Sequence, residues 1–312
     1  MTTDERYMAR CIQLAKNGWK GSQPNPMVGA VIVYFGGEMP SAVEGRIIGE
    51  GYHIRRGEGH AEVNAVASVR PEDEHLLKYS TIYVSLEPCS HYGKTPPCAD
   101  LIIAKGIKRC VVGCMDPFAE VQGRGIKKLM DAGIEVTVGV LESECVALNK
   151  RFMTYHGKHR PFITLKWAQS ADGFIDGHIS TPFTQMVCHK RRAEHQAIMV
   201  GKRTQEIDNP GLNVREWYGD NPKKYVAWDT VERMIAQLYD DGIQTLLVEG
   251  GAKLHQSFID SGLWDECYVE TGDEAINGSV PAPILKNARL VERRTYMGRE
   301  IMGYVNDNLN DN

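Results

Sequence analysis

The sequence predicts two α/β domains in tandem, and three observations carry that prediction. The chain has 312 residues, more than one average domain. From residue 46 onward, short β-branched runs alternate closely with helical patterns. After a polar, basic stretch at 142–161 the alternation begins again. The boundary is expected near 145–160, with a first domain over 1–148 and a second over 160–305.

The elements follow in order. Thr3 or Asp4 is placed to cap a helix running to Gly18, with Met8, Cys11, Ile12 and Ala15 on one face. Residues 29–35 and 46–53 read as strands, 60–69 as an alanine-rich helix, 81–88 as a strand and 98–106 as a helix ending in glycine. A strand at 109–114, a helix at 125–133 and a strand at 134–140 follow. The stretch 142–161 offers only a short helix. In the second domain, strands are expected at 162–168, 197–201 and 245–251, and helices at 181–195 and 230–242. There is no internal repeat and no low-complexity segment, and the polar tail is expected to fray.

Composition narrows the function classes. Hydrophobic residues make up 42% and charged residues 24%, ordinary for a globular chain with a real core. A formal net charge of −4 does not advertise nucleic acid as the main partner. No apolar run is long enough to span a bilayer. The start, MTTDERYMAR, lacks an apolar signal core. A cytoplasmic, reducing location is therefore expected, where eight cysteines are not a disulfide framework. Cys11, Cys145, Cys188 and Cys267 are expected to be small buried apolar residues. Cys110 and Cys114, four apart on a strand, are expected to share a face, with core packing favoured over a second metal pair.

The sharpest chemical signal is His60-Ala61-Glu62, then Pro88-Cys89, then Pro97-Cys98. Zinc that does chemistry keeps three protein ligands and one open position for water, and one imidazole with two thiolates supplies the three. The metal lowers the pKa of the water. A carboxylate beside the metal that is not itself a ligand can then carry the proton, and Glu62 is placed for this. Cys98 opens a helix, where thiolate is stabilised. His-x-Glu with Pro-Cys is the signature of zinc deaminases, usually with two residues between the cysteines. Here eight residues separate them. The plain alternative is a buried helical histidine and two unrelated cysteines. Three motifs in order, each at a strand or helix end, weigh against it.

The longer spacer is informative. EPCSHYGKTPPC (87–98), with HAEVNAV (60–66), PNPMVGAVIV (24–33), DP (116–117) and GRGI (123–126), closely resembles the bifunctional deaminase/reductase family of riboflavin biosynthesis. The resemblance implies a cytidine-deaminase-like three-layer domain followed by a dihydrofolate-reductase-like α/β domain. It implies two reactions: zinc-dependent deamination of a diaminopyrimidinone ribotide, then NADPH-dependent reduction of the ribosyl group to a ribityl chain. By resemblance, Asn25, His53, Lys94, Thr95 and Asp116 line the deaminase pocket. An asparagine in a Pro-bracketed turn presents a rigid amide, and a loop lysine reaches phosphate as a point charge. Phe118 departs from the family, where many members carry Asn after Asp-Pro.

The second domain resembles the same family through LKWAQSADGFI (165–175), RAEHQAIMVGKRTQEIDNPGLNVR (192–215) and VEGGAKLHQSFI (248–259). The resemblance places Gln169, Thr204, Asp208, Gly250, Gly251, Ala252, Lys253 and Leu254 against NADPH. It places Lys166, Arg192, Leu212, Arg215 and Glu249 against the substrate. Gly250 and Gly251, between a strand and a helix, let backbone amides approach an anion. Arg192 and Arg215 suit phosphate as guanidinium forks, the bland alternative being exposed arginines.

The resemblance breaks between Arg215 and Leu246, where relatives carry several dozen more residues, including strands of the sheet and part of the cofactor wall. The reductase domain is thus a shortened one. The leading reading is a bifunctional enzyme with Zn2+ and NADPH, a small ribotide as substrate, no nucleic-acid or membrane partner, and a homo-oligomeric state. A second reading keeps the deaminase and makes the shortened domain a degenerate, non-catalytic partner surface. A third, a deaminase of tRNA or a free nucleoside, is permitted by His-Ala-Glu alone. The cysteine spacer, the second domain and the mild acidity oppose it.

Overall fold

The computed structural model describes residues 1–36, 45–92, 96–118 and 122–309. The chain divides into two compact units, Met1–Lys158 and His159–Asn312.

The first unit is a three-layer sandwich. Its strands are β1 (Gly29–Tyr34), β2 (Arg46–Tyr52), β3 (Ser80–Leu86), β4 (Arg109–Cys114) and β5 (Glu135–Val138), and the sheet order is β2-β1-β3-β4-β5. β1 is antiparallel to β2 and β3, while β3, β4 and β5 run parallel. On one face pack α2 (Ala61–Ala67), α3 (Cys98–Ala104) and α4 (Arg124–Asp131), through Ala61, Ala65, Ile102 and Leu129. On the other lie α1 (Thr3–Ala15) and α5 (Glu142–Leu148), through Met8, Cys11 and Cys145. α1 is capped by Thr2, one residue before the expected cap, because Thr2 and Glu5 close a reciprocal capping box. Cys110 and Cys114 belong to different clusters, Cys110 with Ile82 and Val112 and Cys114 with Val111 and Cys145. The expectation of a shared face is thus corrected, and the core reading of both thiols stands.

One close approach sets the first site. A Cβ on Gly51 would lie 2.3 Å from the Ala65 nitrogen and 2.5 Å from the Ala61 oxygen. The α2 backbone therefore sits directly on β2, and the first turn of α2 cannot drift from the sheet. Where the sequence predicts one short helix and a boundary, α5 is followed by α6 (Lys150–Lys158).

The second unit has seven strands: β6 (Phe162–Gln169), β7 (Ala197–Val200), β8 (Lys223–Val226), β9 (Thr245–Glu249), β10 (Glu266–Thr271), β11 (Ala288–Tyr296) and β12 (Arg299–Asn306). Their order is β11-β12-β10-β6-β9-β7-β8. β10, β6, β9, β7 and β8 run parallel, and the β11–β12 hairpin closes one edge antiparallel. Its helices are α7 (Pro182–Ala193), α8 (Lys202–Asp208), α9 (Val231–Asp240) and α10 (Ala252–Asp260). The core packs Met234, Ile235 and Leu238 of α9 and Phe258 of α10 against Leu165, Met199, Leu246 and Val248. The short stretch after Arg215 still supplies an edge strand, β8, paired parallel with β7.

Candidate active sites

In the first unit, three elements end at one point. His60 is the N-cap of α2, with extended backbone (φ −69°, ψ 170°), so its ring leaves the helix at the first turn. Cys89 follows β3 by a short loop, and Cys98 is the first residue of α3. The His60 Nδ1 lies 3.5 Å from Cys89 Sγ and 3.4 Å from Cys98 Sγ. All three donor atoms fall within 4.8 Å of one another. Cys98 N donates to Cys89 Sγ at 3.3 Å. A hydrogen bond from Cys98 holds the Cys89 thiol down to about 4, with His60 adding to the effect. Contact with Cys89 in turn raises His60. An imidazole and two thiols that converge this closely, one of them poised as thiolate, are a donor set that fits zinc.

Glu62 lies in the first turn of α2, two residues after His60, and is 3% exposed. Burial, and then the charge on Cys89, pushes its carboxyl up to about 7. A group near neutrality both accepts and releases a proton readily. His53 is also buried, and burial lowers its pKa. Its Nδ1 lies 3.2 Å from Gly59 O and its Nε2 3.4 Å from Asn25 Nδ2. One neutral tautomer, protonated on Nδ1, satisfies both contacts. The Asn25 turn is fixed from α5's end, where Asn149 exchanges two 2.8 Å hydrogen bonds with the Met27 backbone.

A cavity of about 270 Å³ opens beside these donors, with Asn25, His53, His60, Glu62, Cys89 and Asp116 in its wall. Burial raises Asp116 to about 6. Lys94 and Thr95, expected in this pocket, lie outside the described residues. Sequence reasoning did not single out four further lining residues, Glu87, His91, Phe152 and His156. Phe118 lines it too, its ring 5.5 Å edge-on from His156, while Phe152 lies 4.4 Å from the same imidazole. Phe152 and His156 are four apart on α6 and so share one face of it.

In the second unit, the ends of β6, β7 and β9 meet. Glu249, the last residue of β9, pairs with Lys166 in the β6 register, their charged atoms 4.0 Å apart. Arg192 of α7 holds Glu249 with two bonds, Nε to Oε2 at 2.7 Å and Nη2 to Oε1 at 3.0 Å. Cys188 donates to Glu249 Oε1 at 2.5 Å. Glu249 is lowered despite its burial, because Lys166 and Arg192 stand beside it. Glu270 of β10, which the sequence did not flag, is 1% exposed and accepts from Thr184 and Ser180 at 2.6 and 2.7 Å.

Gly250 and Gly251 turn out of β9 with φ of 113° and 88°, a region closed to most side chains. Thr204 of α8 packs on them, its Oγ1 3.1 Å from where a Gly251 Cβ would stand. Ala252, Lys253 and Leu254 form the first turn of α10 behind this bend. The structure thus gathers Thr204 with the glycine turn. Asp208 is exposed at the far end of α8. Gln169, at the end of β6, accepts from Trp167 Nε1 at 2.9 Å. Leu212 is buried with φ 48°, and Arg215 is exposed, its Nη1 on Asn213 Oδ1 at 2.8 Å.

A zinc-type donor triad in a three-layer domain, followed by an α/β domain with a glycine turn, defines the class: a zinc-binding deaminase fold joined to a reductase-type fold. The family model for the cytidine and deoxycytidylate deaminase zinc-binding region matches residues 1–114. The RibD C-terminal domain matches in two pieces, 161–233 and 228–271. The riboflavin biosynthesis protein RibD of Bacillus amyloliquefaciens is 33% identical over 338 aligned positions, covering 90% of this chain and 87% of that protein. The RibD protein of Aquifex aeolicus is 44% identical over 68% of this chain, which spans only 58% of that relative's length. A crystal structure of a diaminohydroxyphosphoribosylaminopyrimidine deaminase/5-amino-6-(5-phosphoribosylamino)uracil reductase from Thermotoga maritima superposes with a TM-score of 0.83. It is 32% identical, with 97% of this chain and 99% of that chain covered. Acinetobacter baumannii RibD gives 0.84 at 26% identity, over 97% of this chain and 98% of that one.

The chain belongs to the RibD family of riboflavin biosynthesis proteins. Zinc for the first domain and NADPH for the second are the cofactors this pair of domains takes. An alignment of 338 positions exceeds the 312 residues of the chain, so the Bacillus relative carries residues that this chain lacks. The second family model divides near 228–233, inside the stretch where the sequence places the shortening.

Proposed function

We propose that the chain is a bifunctional enzyme of riboflavin biosynthesis. Its deaminase domain, over 1–148, converts 2,5-diamino-6-ribosylamino-4(3H)-pyrimidinone 5′-phosphate to the corresponding uracil derivative. Its shortened reductase domain, over 160–305, then reduces the ribosyl group to a ribityl chain. The observation that carries this reading is the convergence of His60, Cys89 and Cys98 beside buried Glu62, next to a cavity that His60, Glu62 and Cys89 line. His60, Cys89 and Cys98 would hold zinc, which would supply the Lewis acidity that makes water a nucleophile at neutral pH. Glu62 takes the proton from that water, delivers it to the ring nitrogen next to the amine-bearing carbon, and then protonates the departing amine. Asn25 and His53 orient the heterocycle, and Asp116 lines the same cavity. Ammonia release that disappears with a chelator and returns with added zinc supports this reading; full release from metal-free protein contradicts it.

In the second domain NADPH would supply the hydride, and Thr204, the Gly250–Gly251 turn and the first turn of α10 would hold its phosphates. Lys166 and Glu249 would face the ribosyl carbon in its open imine form, where hydride adds to the carbon and Lys166 gives the balancing proton to the imine nitrogen. The division of the family match near 228–233 favours one competing reading, in which the deaminase is active and the shortened domain is non-catalytic. A cytoplasmic location is supported by eight cysteines without a disulfide, and no helix of the described residues is long and apolar enough to cross a membrane. A homo-oligomeric state remains part of the proposal and is tested by sedimentation.

A further inference from the structure

His255, the fourth residue of α10, is fully buried just behind the glycine turn. Its ring meets three backbone carbonyls. Nε2 lies 3.1 Å from Val248 O on β9 and 3.2 Å from Lys166 O on β6, and Nδ1 lies 3.1 Å from Gly251 O. Carbonyls only accept, so each contact asks for a proton on the ring. Burial lowers the pKa of this imidazole, which leaves it neutral near pH 7 with one proton to give. On Nε2 that proton serves two carbonyls, on Nδ1 only one, and Gly251 O already accepts from His255 N at 3.1 Å. The donor is therefore Nε2–H, shared between β6 and β9.

The two strands part at this point. Their last registered pair is Lys166 with Glu249, after which β9 turns away through Gly250 while β6 runs on to Gln169. The crevice outside the carboxyl ends of parallel strands is where such sheets bind their ligands. The ring also meets Trp167 edge-on, centroids 5.3 Å apart, and Trp167 Nε1 holds Gln169 Oε1 at 2.9 Å.

We infer that His255 is a positioning residue, fixing the glycine turn against the ends of β6 and β9 through Nε2–H. The inference rests on the reductase reading above, in which Lys166 and Glu249 serve the substrate and the glycine turn serves the cofactor. The ring touches the backbone of Lys166, of the residue before Glu249 and of the turn itself. One imidazole thus sets the spacing between the two sides, and hydride transfer depends steeply on that spacing. Losing the donor slows the hydride step more than it weakens ribotide binding.

The test compares His255→Leu, His255→Gln and His255→Asn with the wild type as full chains. A glutamine amide reaches where Nε2 stands, and an asparagine amide only where Nδ1 stands. The first readout is reduction of the deaminated ribotide with NADPH and with NADPH deuterated at the transferred C4 position. His255→Leu and His255→Asn are expected to lower kcat by about tenfold or more, with KM for the ribotide changed less than about threefold and a larger isotope effect on kcat. His255→Gln is expected to stay within about threefold of the wild type, which a packing role alone would not produce. The second readout is amide hydrogen exchange by peptide mass spectrometry. His255→Leu should speed exchange across residues 248–254 and leave the β11–β12 hairpin as in the wild type. If the hairpin also speeds up, the leucine has loosened the whole unit, and the Gln and Asn variants decide. Asn active with Gln inactive, all three equally impaired, or Leu unchanged in both readouts overturns the inference. If the wild type oxidises no NADPH, the reductase reading fails by itself, and exchange at 248–254 in the Gln and Asn variants still decides whether Nε2–H fixes the turn.

Discussion

Glu87 Oε1 accepts a hydrogen bond from the Gly125 nitrogen at 3.0 Å, tying the end of β3 to the start of α4. The same carboxylate takes Gly123 N at 3.0 Å, and Asp116 N and Ile126 N at 3.4 Å. It stands two residues before Cys89, so one buried side chain joins a metal donor to the loop that carries Asp116 and Phe118. Glu87→Gln puts an amide donor where N–H groups point. We expect a loss of about 1–3 kcal/mol in denaturant unfolding of the first unit and a raised KM for the ribotide. Unchanged stability and KM would remove Glu87 from this role. Gly125→Ala is expected to be worse, because its Cβ would lie 1.9 Å from Pro88 O.

Glu62→Gln should keep zinc at one per chain and lose ammonia release by about 10²- to 10⁴-fold, the range for a removed general acid–base. Cys89→Ser and His60→Ala should lose the metal along with the activity. Metal analysis beside the activity assay separates the two outcomes. Zinc lost from Glu62→Gln contradicts its assignment as a proton carrier that is not a ligand.

The convergence of His60, Glu62, Cys89 and Cys98 was legible in the sequence because each lies in a short motif beside a helix or strand end. The pocket's aromatic side was not. Phe152 and His156 stand on α6, inside a polar, basic stretch whose weak period gave no reason to expect a wall. The edge of the second sheet was hidden for a similar reason. β11 (Ala288–Tyr296) is rich in arginine and largely exposed, as edge strands are, so it lacks the apolar run that marks a strand. β10 carries Glu270 inward, a buried polar group whose hydrogen-bond donors, Ser180 and Thr184, are distant in sequence. Arg192, bonded twice to Glu249, illustrates the limit of motif reading. Its position was visible, and its occupied guanidinium was not.

The glycine turn should be sensitive to any side chain. Gly251→Ala places a methyl 3.1 Å from Thr204 Oγ1 at a φ of 88°. We expect NADPH affinity to fall at least about tenfold, from backbone strain and lost approach to the phosphates, with the unit still folded. Fluorescence titration of NADPH measures it. Wild-type affinity in this variant would remove the turn from the cofactor site.

Low pH should loosen the second unit through Asp176. Hydrogen bonds from Ser279 N and Oγ, both 2.7 Å, hold its carboxyl down from 3.8 to about 2. A carboxyl depressed on folding contributes its stability in full above its unfolded value and loses it as pH falls through the folded one. Stability should therefore decline between about pH 4 and pH 2, and Asp176→Asn should show a flatter profile there. Denaturant midpoints across that range check it. Parallel profiles for both proteins would show that Asp176 does not contribute.

The most direct measurement puts purified, zinc-loaded protein with the diaminopyrimidinone ribotide and NADPH in one cuvette and follows ammonia and NADPH together. The account predicts ammonia release followed by NADPH oxidation in equal amount. Ammonia without oxidation contradicts the reductase half and leaves a deaminase with a non-catalytic second domain. Absence of both contradicts the account as a whole.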